Sequence, residues 1–220
     1  MAALVWDQVG EKLYELGVDQ GVLYPQNADG TYANGVAWNG LVKVTEKPNG
    51  ADVKDMYADN IKYASFRAAE KFGATIEAYM YPEEFAECDG SKAAATGVYV
   101  GQQARKPFGF SYRTKIGNDT ATESDDGYKI HLIYNATVSP SERSYQTIND
   151  SPEGITFSWE MNTIPVPVTN HKPTSCIIID STKVDSTKLT NFLKTLYGDT
   201  NGSATLPTPD QVIAAFTGNG

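Results

Sequence analysis

Cysteine is nearly absent from this chain: of 220 residues, only positions 88 and 176 are cysteines. That count argues against a secreted disulfide scaffold and points to two reduced thiols in a protein made in the cytosol. Histidine is as scarce, with His131 and His171 alone. No second ligand stands at metal spacing from either, and neither H-E-x-x-H nor C-x-x-C occurs, so no metal and no cofactor is expected. Basic residues are in deficit, with 18 Lys and Arg against 27 Asp and Glu and a formal charge of −9. A nucleic-acid-binding surface needs a basic footprint, so no tight nucleic-acid binding is expected. Long apolar runs are missing too. The longest is Met1 to Trp6, too short for a transmembrane helix, so no membrane insertion is expected. No basic region followed by an apolar core opens the chain, so no signal peptide is expected, and the sequons at Asn118, Asn135, Asn149 and Asn201 read as chance matches.

What is present is the texture of an antiparallel β protein. At 40% hydrophobic and 20% charged the chain is composed to fold, and its length suits one domain over residues 1–220. Tyr is frequent at 13, and 19 Gly with 11 Pro punctuate the chain densely. Asn34-Gly35, Asn39-Gly40 and Asn49-Gly50 are turn dipeptides. In 154–164, Ile155, Phe157, Trp159 and Met161 alternate with Thr156, Ser158, Glu160 and Asn162, which predicts one dry and one wet strand face. The same period places Tyr128, Ile130, Leu132 and Tyr134 against Lys129, His131 and Asn135. It also sets Phe108, Phe110 and Tyr112 against Ser111 and Arg113, and Ile76, Ala78 and Met80 against Thr75, Glu77 and Tyr79. Segments 36–45 and 173–179 are further candidate strands. Helical spacing of Leu189, Phe192, Leu193 and Leu196 predicts a helix over 185–197, stopped by Gly198. Thr208-Pro209-Asp210-Gln211 reads as a capping box opening a helix over 208–216, with 198–207 as a linker. A third short helix is expected from Pro82 to Cys88, and polar connections at 47–60, 89–95 and 118–126.

The motifs that carry chemistry are missing. There is no phosphate-binding glycine loop, and Gly109-Phe110-Ser111 lacks the second glycine of a nucleophile elbow because Arg113 stands there. Glu83, Glu84, Glu87 and Asp89 cluster as a paired-carboxylate glycosidase would require, but acidic residues behind Pro82 also suit a helix N-terminus. Asp119, Glu123, Asp125 and Asp126 lack the calcium-loop pattern. No enzyme activity is expected.

Several segments together resemble one family. They are Gly21-Val22-Leu23-Tyr24-Pro25, Gly35-Val36-Ala37-Trp38-Asn39-Gly40-Leu41 and Tyr57-Ala58-Asp59-Asn60-Ile61-Lys62-Tyr63. Next come Phe72-Gly73-Ala74-Thr75-Ile76-Glu77-Ala78-Tyr79, Tyr81-Pro82-Glu83-Glu84-Phe85 and Lys106-Pro107-Phe108-Gly109-Phe110-Ser111-Tyr112-Arg113. Ile116-Gly117-Asn118-Asp119 and the stretch from Tyr145 through Pro152 into Trp159 and Glu160 complete the set. They span most of residues 1–170 and are similar to the major tail protein of bacteriophages with long, non-contractile tails, the siphovirus tail tube subunit. The resemblance implies a mainly β, sandwich-like tail-tube fold that contributes to an inter-subunit β-barrel. It also implies hexameric rings stacked into a tube around a tape-measure protein, with terminator and tip proteins at the ends. Such a subunit sits in the virion tail, is assembled in the bacterial host's cytoplasm, and encloses a lumen through which DNA only transits.

Within that reading, Pro48, Asn49, Gly50, Asp52, Lys54 and Asp55 are expected on a long loop that contacts a neighbouring subunit or ring. A channel that conducts DNA must not hold it, so a net negative lumen is expected, with Glu77 and Glu160 as lining candidates. The alternative reading is a carbohydrate-binding β-sandwich module, because 13 Tyr and 3 Trp offer stacking platforms. Trp159, alternating with core positions, is expected to be buried instead.

Overall fold

The computed structural model describes residues 3–120, 127–148, 154–200 and 202–218. Strands in chain order are β1 (Tyr14–Pro25), β2 (Val36–Trp38), β3 (Leu41–Glu46), β4 (Asn49–Gly50), β5 (Val53–Ala58), β6 (Ile61–Arg67), β7 (Glu70–Lys71) and β8 (Gly73–Ala78). Helix α1 (Phe85–Cys88) follows, then β9 (Lys92–Ala95), β10 (Val98–Val100), β11 (Phe108–Gly117), β12 (Gly127–Val138), β13 (Phe157–Thr163) and β14 (Cys176–Asp180). Helices α2 (Ser186–Tyr197) and α3 (Pro209–Thr217) come last. The expected fold class, mainly β with short C-terminal helices, is what the chain adopts. Among the described residues the single chain closes no barrel.

One antiparallel sheet of eight strands runs β2-β1-β11-β12-β13-β8-β3, with β14 on β12. β12 holds β11 along one edge. Its other edge is shared, with β14 pairing at Lys129–Ile133 and β13 at Ala136–Val138. The first apolar core lies on one sheet face and gathers Leu23, Trp38, Ile76, Phe85, Phe110, Ile133 and Trp159. Trp38, Phe85 and Trp159 meet edge-on or tilted at 4.5–5.6 Å between ring centroids, the geometry that the ring quadrupoles favour. The second core lies on the opposite face, where Tyr24, Ile130, Leu132, Tyr134 and Ile179 pack against Leu189, Phe192 and Leu196 of α2 and Val212 of α3.

The helices form where their end signals place them. Asp185 accepts a hydrogen bond from the Lys188 amide, and Gly198, at φ +81°, ends α2. Thr208 and Gln211 complete the capping box of α3, with Pro209 in its first turn. Residues 198–207 are held to the body: the Gly35 amide donates to the Ala204 carbonyl, the Thr205 amide donates to the Thr195 carbonyl, and Leu206 is buried. Tyr24 ties strand to helix, its hydroxyl donating to the Leu196 carbonyl at 2.7 Å.

Several expectations need correction. The face of β12 that carries His131 is not wet: His131 and Ile133 are buried, because each face of this strand meets its own core. Segment 36–45 is two strands broken at Gly40, whose φ of +75° turns the chain. Met80 lies past the end of β8 and is exposed. The connection expected over 47–60 is instead β4, β5 and the start of a hairpin, and 89–95 runs into β9. Residues 121–126 of the connection expected over 118–126 lie outside the described residues.

Candidate assembly surface

Between β3 and β8 the chain leaves the sheet. A two-residue ladder, β4 on β7, forms a stalk: Asn49 pairs with Lys71 and Gly50 with Glu70. Gly50 has φ +88°, and a Cβ there would meet the Ala69 carbonyl oxygen at 2.8 Å, so glycine is required. Beyond the stalk, β5 and β6 pair as a hairpin whose turn residues Asp59 and Asn60 both have positive φ, at 52° and 62°. This is the mirror-image turn whose twist matches the strands.

The hairpin register separates its side chains. Val53, Asp55 and Tyr57 share a face with Lys62, Ser65 and Arg67, and Lys54, Met56 and Ala58 share the other with Ile61, Ala64 and Phe66. On the first face Asp55 accepts from the Ser65 hydroxyl at 2.6 Å and pairs with Lys62 at 2.8 Å. Both bonds hold its carboxyl below the usual carboxylate range, the Lys62 bond contributing most. The second face carries Met56, Ile61 and Phe66 in the open, with Ile61 64% and Phe66 58% exposed.

Of the six residues expected on a contact loop, Asn49 and Gly50 therefore build the stalk, with Pro48 just before it. Lys54 and Asp55 stand on the first hairpin strand, and Asp52 precedes it. Sequence reasoning missed Met56, Ile61 and Phe66, which carry the apolar face. The available signal was Asp59-Asn60 between two runs rich in β-branched and aromatic residues.

Glu77 and Glu160 do come together on one surface. On β8 and β13, Glu77 is opposite Ser158 and Glu160 is opposite Thr75. Lys43 of β3 lies across from Glu77, and Thr45 across from Thr75. These side chains project away from Ile76, Trp159 and Met161, forming a polar three-strand face. Trp159 is fully buried, as its alternation predicts, so it offers no stacking platform.

The carboxylate cluster of the glycosidase reading faces separate partners. Glu83 accepts from the Tyr99 hydroxyl, Glu87 pairs with Lys106 at 2.8 Å, and Asp89 with Arg143. Among the described residues, no group of three or more His, Cys, Asp or Glu is placed to hold a metal ion, and no helix is long and apolar enough to cross a membrane.

A polar cluster lies at one end of the first core. Glu46 of β3 accepts from the Tyr112 hydroxyl at 2.7 Å and lies 3.1 Å from His131 Nδ1. The imidazole stacks on the Tyr112 ring, with centroids 4.5 Å apart and planes 8° apart. The His131 hydrogen bond, followed by that of Tyr112, holds the Glu46 carboxyl low against its partial burial. Nearby, Arg113 grips Asp19 with two bonds of 2.7 and 2.8 Å, tying β11 to β1. These contacts join strands of the sheet, and Asp19 also lines a cavity of about 710 Å³ with Trp38, Leu41 and Tyr197.

No family model and no curated protein matches the chain. Among solved structures it is similar to a chain of the sheath–tube complex of an extracellular contractile injection system (PVC, extended state). That match has 12% identity, covers 73% of this chain and 88% of that one, and has a TM-score of 0.31. It is also similar to the tube-terminating cap of the anti-feeding prophage, with 11% identity, coverage of 82% and 96%, and a TM-score of 0.30. A third is the sheath/tube terminator of an extracellular contractile injection system, with 12% identity, coverage of 76% and 97%, and a TM-score of 0.30. Superpositions at these scores do not establish a common fold.

Proposed function

We propose that this chain is a non-catalytic, self-assembling structural subunit of a phage tail tube. The observation that carries the reading is its surface. The chain exposes 14395 Å², whereas a compact monomer of 23.9 kDa exposes about 9,900 Å². The surplus of about 4,500 Å² matches several standard interfaces at roughly 800 Å² per partner. Exposed large apolar side chains gather on the β5–β6 hairpin, with Met56, Ile61 and Phe66, and on the segment before β1, with Leu4, Val5, Trp6, Val9 and Leu13.

Charge supports the same reading. Copies bearing −9 each repel one another. The hairpin is neutral, with Asp52, Asp55 and Asp59 against Lys54, Lys62 and Arg67, so it is the element that can approach another copy at least electrostatic cost. In the proposal a single tail-tube domain closes laterally into hexameric rings, and the hairpin, with its stalk at Pro48–Gly50, reaches the next ring. Heterologous contacts close laterally into rings and continue axially as filaments. The polar face bearing Glu77 and Glu160 lines the lumen of the inter-subunit barrel, where negative charge lets DNA transit without being held. A tape-measure protein sets the tube's length, terminator and tip proteins close its ends, and assembly takes place in the bacterial host's cytoplasm before the tube enters the virion tail.

Electron microscopy of concentrated protein, with chelator present, tests the proposal. Rings or tubes are the expected outcome. A species that stays monomeric at every concentration, and fails to assemble on isolated virion tips, overturns it.

A further inference from the structure

We propose that the N-terminal arm of one copy of this chain docks in the groove at the hairpin root of a second copy. The inference rests on self-association, not on the tube geometry. The groove has a volume of about 1100 Å³, just above the range of cavities that hold a drug-sized ligand, so it has room for an indole and its neighbours. Phe72, Pro165 and Pro173 give it apolar walls, and Arg67 and Lys172 add two cations against the single anion Glu70. Among the described residues neither cation forms an ion pair. Ser175 also lines the groove; it is 4% exposed, and its Oγ has no hydrogen-bond partner among the described residues. A buried hydroxyl without a partner is costly, and an occupant with a free peptide group removes that cost.

The arm has the complementary chemistry. Leu4, Val5, Trp6 and Val9 are 66–79% exposed, and they are interspersed with Asp7 and Glu11, which likewise form no ion pair among the described residues. Trp6 is 73% exposed, while Trp38 and Trp159 are 2% and 0% exposed. The arm's own groove is a poor fit by reach. The Gly10 amide donates to Asp119 Oδ1 at 2.9 Å, which fixes the arm's root beside the end of β11. Trp6 stands four residues before that root, and four residues span at most about 14 Å when fully extended. The groove adjoins Cys176, which pairs with Ile133, six residues along β12 from Gly127 and three strands over from β1. That separation is about 24 Å from strand rise and spacing. Trp6 therefore falls short of its own chain's groove, whereas a neighbour's groove carries no such restriction.

Acrylamide quenching of tryptophan fluorescence reads the docking directly, because Trp6 is the exposed indole. Quenching is expected to fall toward that of the two buried indoles as the concentration of the full chain rises. The Arg67→Glu/Lys172→Glu variant should keep the quenching of dilute protein, and mixing it with Asp7→Lys/Glu11→Lys should restore protection. A second measurement pairs Gln8→Cys with Ala68→Cys. Burial pushes the native Cys88 and Cys176 thiols up to about 12, which leaves them slow to react. The engineered pair should form disulfide-linked dimers and larger species on a denaturing gel. Quenching that is independent of concentration, or a disulfide formed only within monomers, overturns the proposal. Tubes that leave Trp6 fully quenchable overturn the docking and spare the tube reading; docked dimers that never build rings do the reverse.

Discussion

Strand β12 and the β5–β6 hairpin are written in similar residues. Tyr128, Lys129, Ile130 and Tyr134 on one side correspond in kind to Tyr57, Lys62, Ile61 and Tyr63 on the other, and both segments alternate. Yet Ile130–Tyr134 is buried on both faces, while the hairpin is exposed on both. The difference comes from what the rest of the chain supplies. β12 has strands on both edges, an aromatic core beneath it and two helices above. The hairpin hangs from a two-residue stalk, and among the described residues no strand or helix packs broadly across either face. Apolar content therefore marks a surface for burial without saying whether the chain itself or another copy covers it.

The contrast is tested most severely in the first core. Trp159 is fully buried against Trp38, Tyr81, Phe85 and Phe157. Trp159→Ala is expected to cost about 3–5 kcal/mol of unfolding free energy, measured by urea denaturation with circular dichroism. A loss below 1 kcal/mol would mean that this core is not what holds the sheet. The second core should respond next. Phe192, 4% exposed and 5.3 Å from the Phe216 ring, links α2 to α3. Phe192→Ala should fall near the lower end of the same range, about 3 kcal/mol, because its neighbours on short helices can relax. An unchanged melting temperature would show the helices to be undocked. Thr208→Ala removes the side-chain half of the α3 capping box and should cost about 1 kcal/mol.

Much of this architecture was legible in sequence. The alternation at Trp159 and Met161, the helical spacing of Leu189, Phe192 and Leu196, and the Thr208–Gln211 cap each state a local rule that the fold obeys. The wet face assigned to Lys129, His131 and Asn135 failed for a physical reason. A period of two marks the two faces of a strand, but a polar residue can be buried when partners wait for it, as Tyr112 and Glu46 wait for His131. The partnering strand lies 85 residues away, beyond any local pattern. The candidate contact residues at 48–55, expected on a loop, stand instead on the stalk, on the first hairpin strand and beside them. Lys54 and Asp55 gave a polar reading, and the apolar face appears only once the Asp59-Asn60 turn brings Ile61 and Phe66 alongside Met56.

Acid should separate the regions further. The Glu46 carboxyl is held below its ordinary 4.5, first by His131, and Asp19 is held low, first by Arg113. A carboxyl depressed in the folded state contributes stability that is present above its ordinary pKa and lost as pH falls through the folded value. Stability of the sheet should therefore decline below about pH 4.5. Glu46→Gln should lower the melting temperature at pH 7 by less than the cap variant does, because its side chain is a third exposed and solvent screens it. The gap to the unaltered protein should close as pH falls below that window. A gap that widens in acid would contradict the assignment.

The smallest effect on the folded monomer is expected on the exposed apolar face of the hairpin. Ile61→Ser with Phe66→Ser replaces two side chains that are 64% and 58% exposed. Surface substitutions outside special contacts shift stability by at most about 0.5 kcal/mol, so the monomer's melting curve should not move. Assembly should respond in the opposite way. If the face bearing Met56, Ile61 and Phe66 is covered by a second copy, the two serines leave polar groups in a desolvated contact, and the concentration needed for rings or tubes should rise at least tenfold, a change worth about 1.4 kcal/mol. Sedimentation of both proteins over a shared concentration series reads this directly. Replacing Asp55 and Lys62 on the opposite face supplies the control, since that face pairs within the hairpin and its loss should shift assembly less. Equal assembly of the serine variant and the unaltered chain would show that the exposed face is not the one that meets a neighbour, and the contrast between a self-covered strand and a partner-covered hairpin would fail at the hairpin.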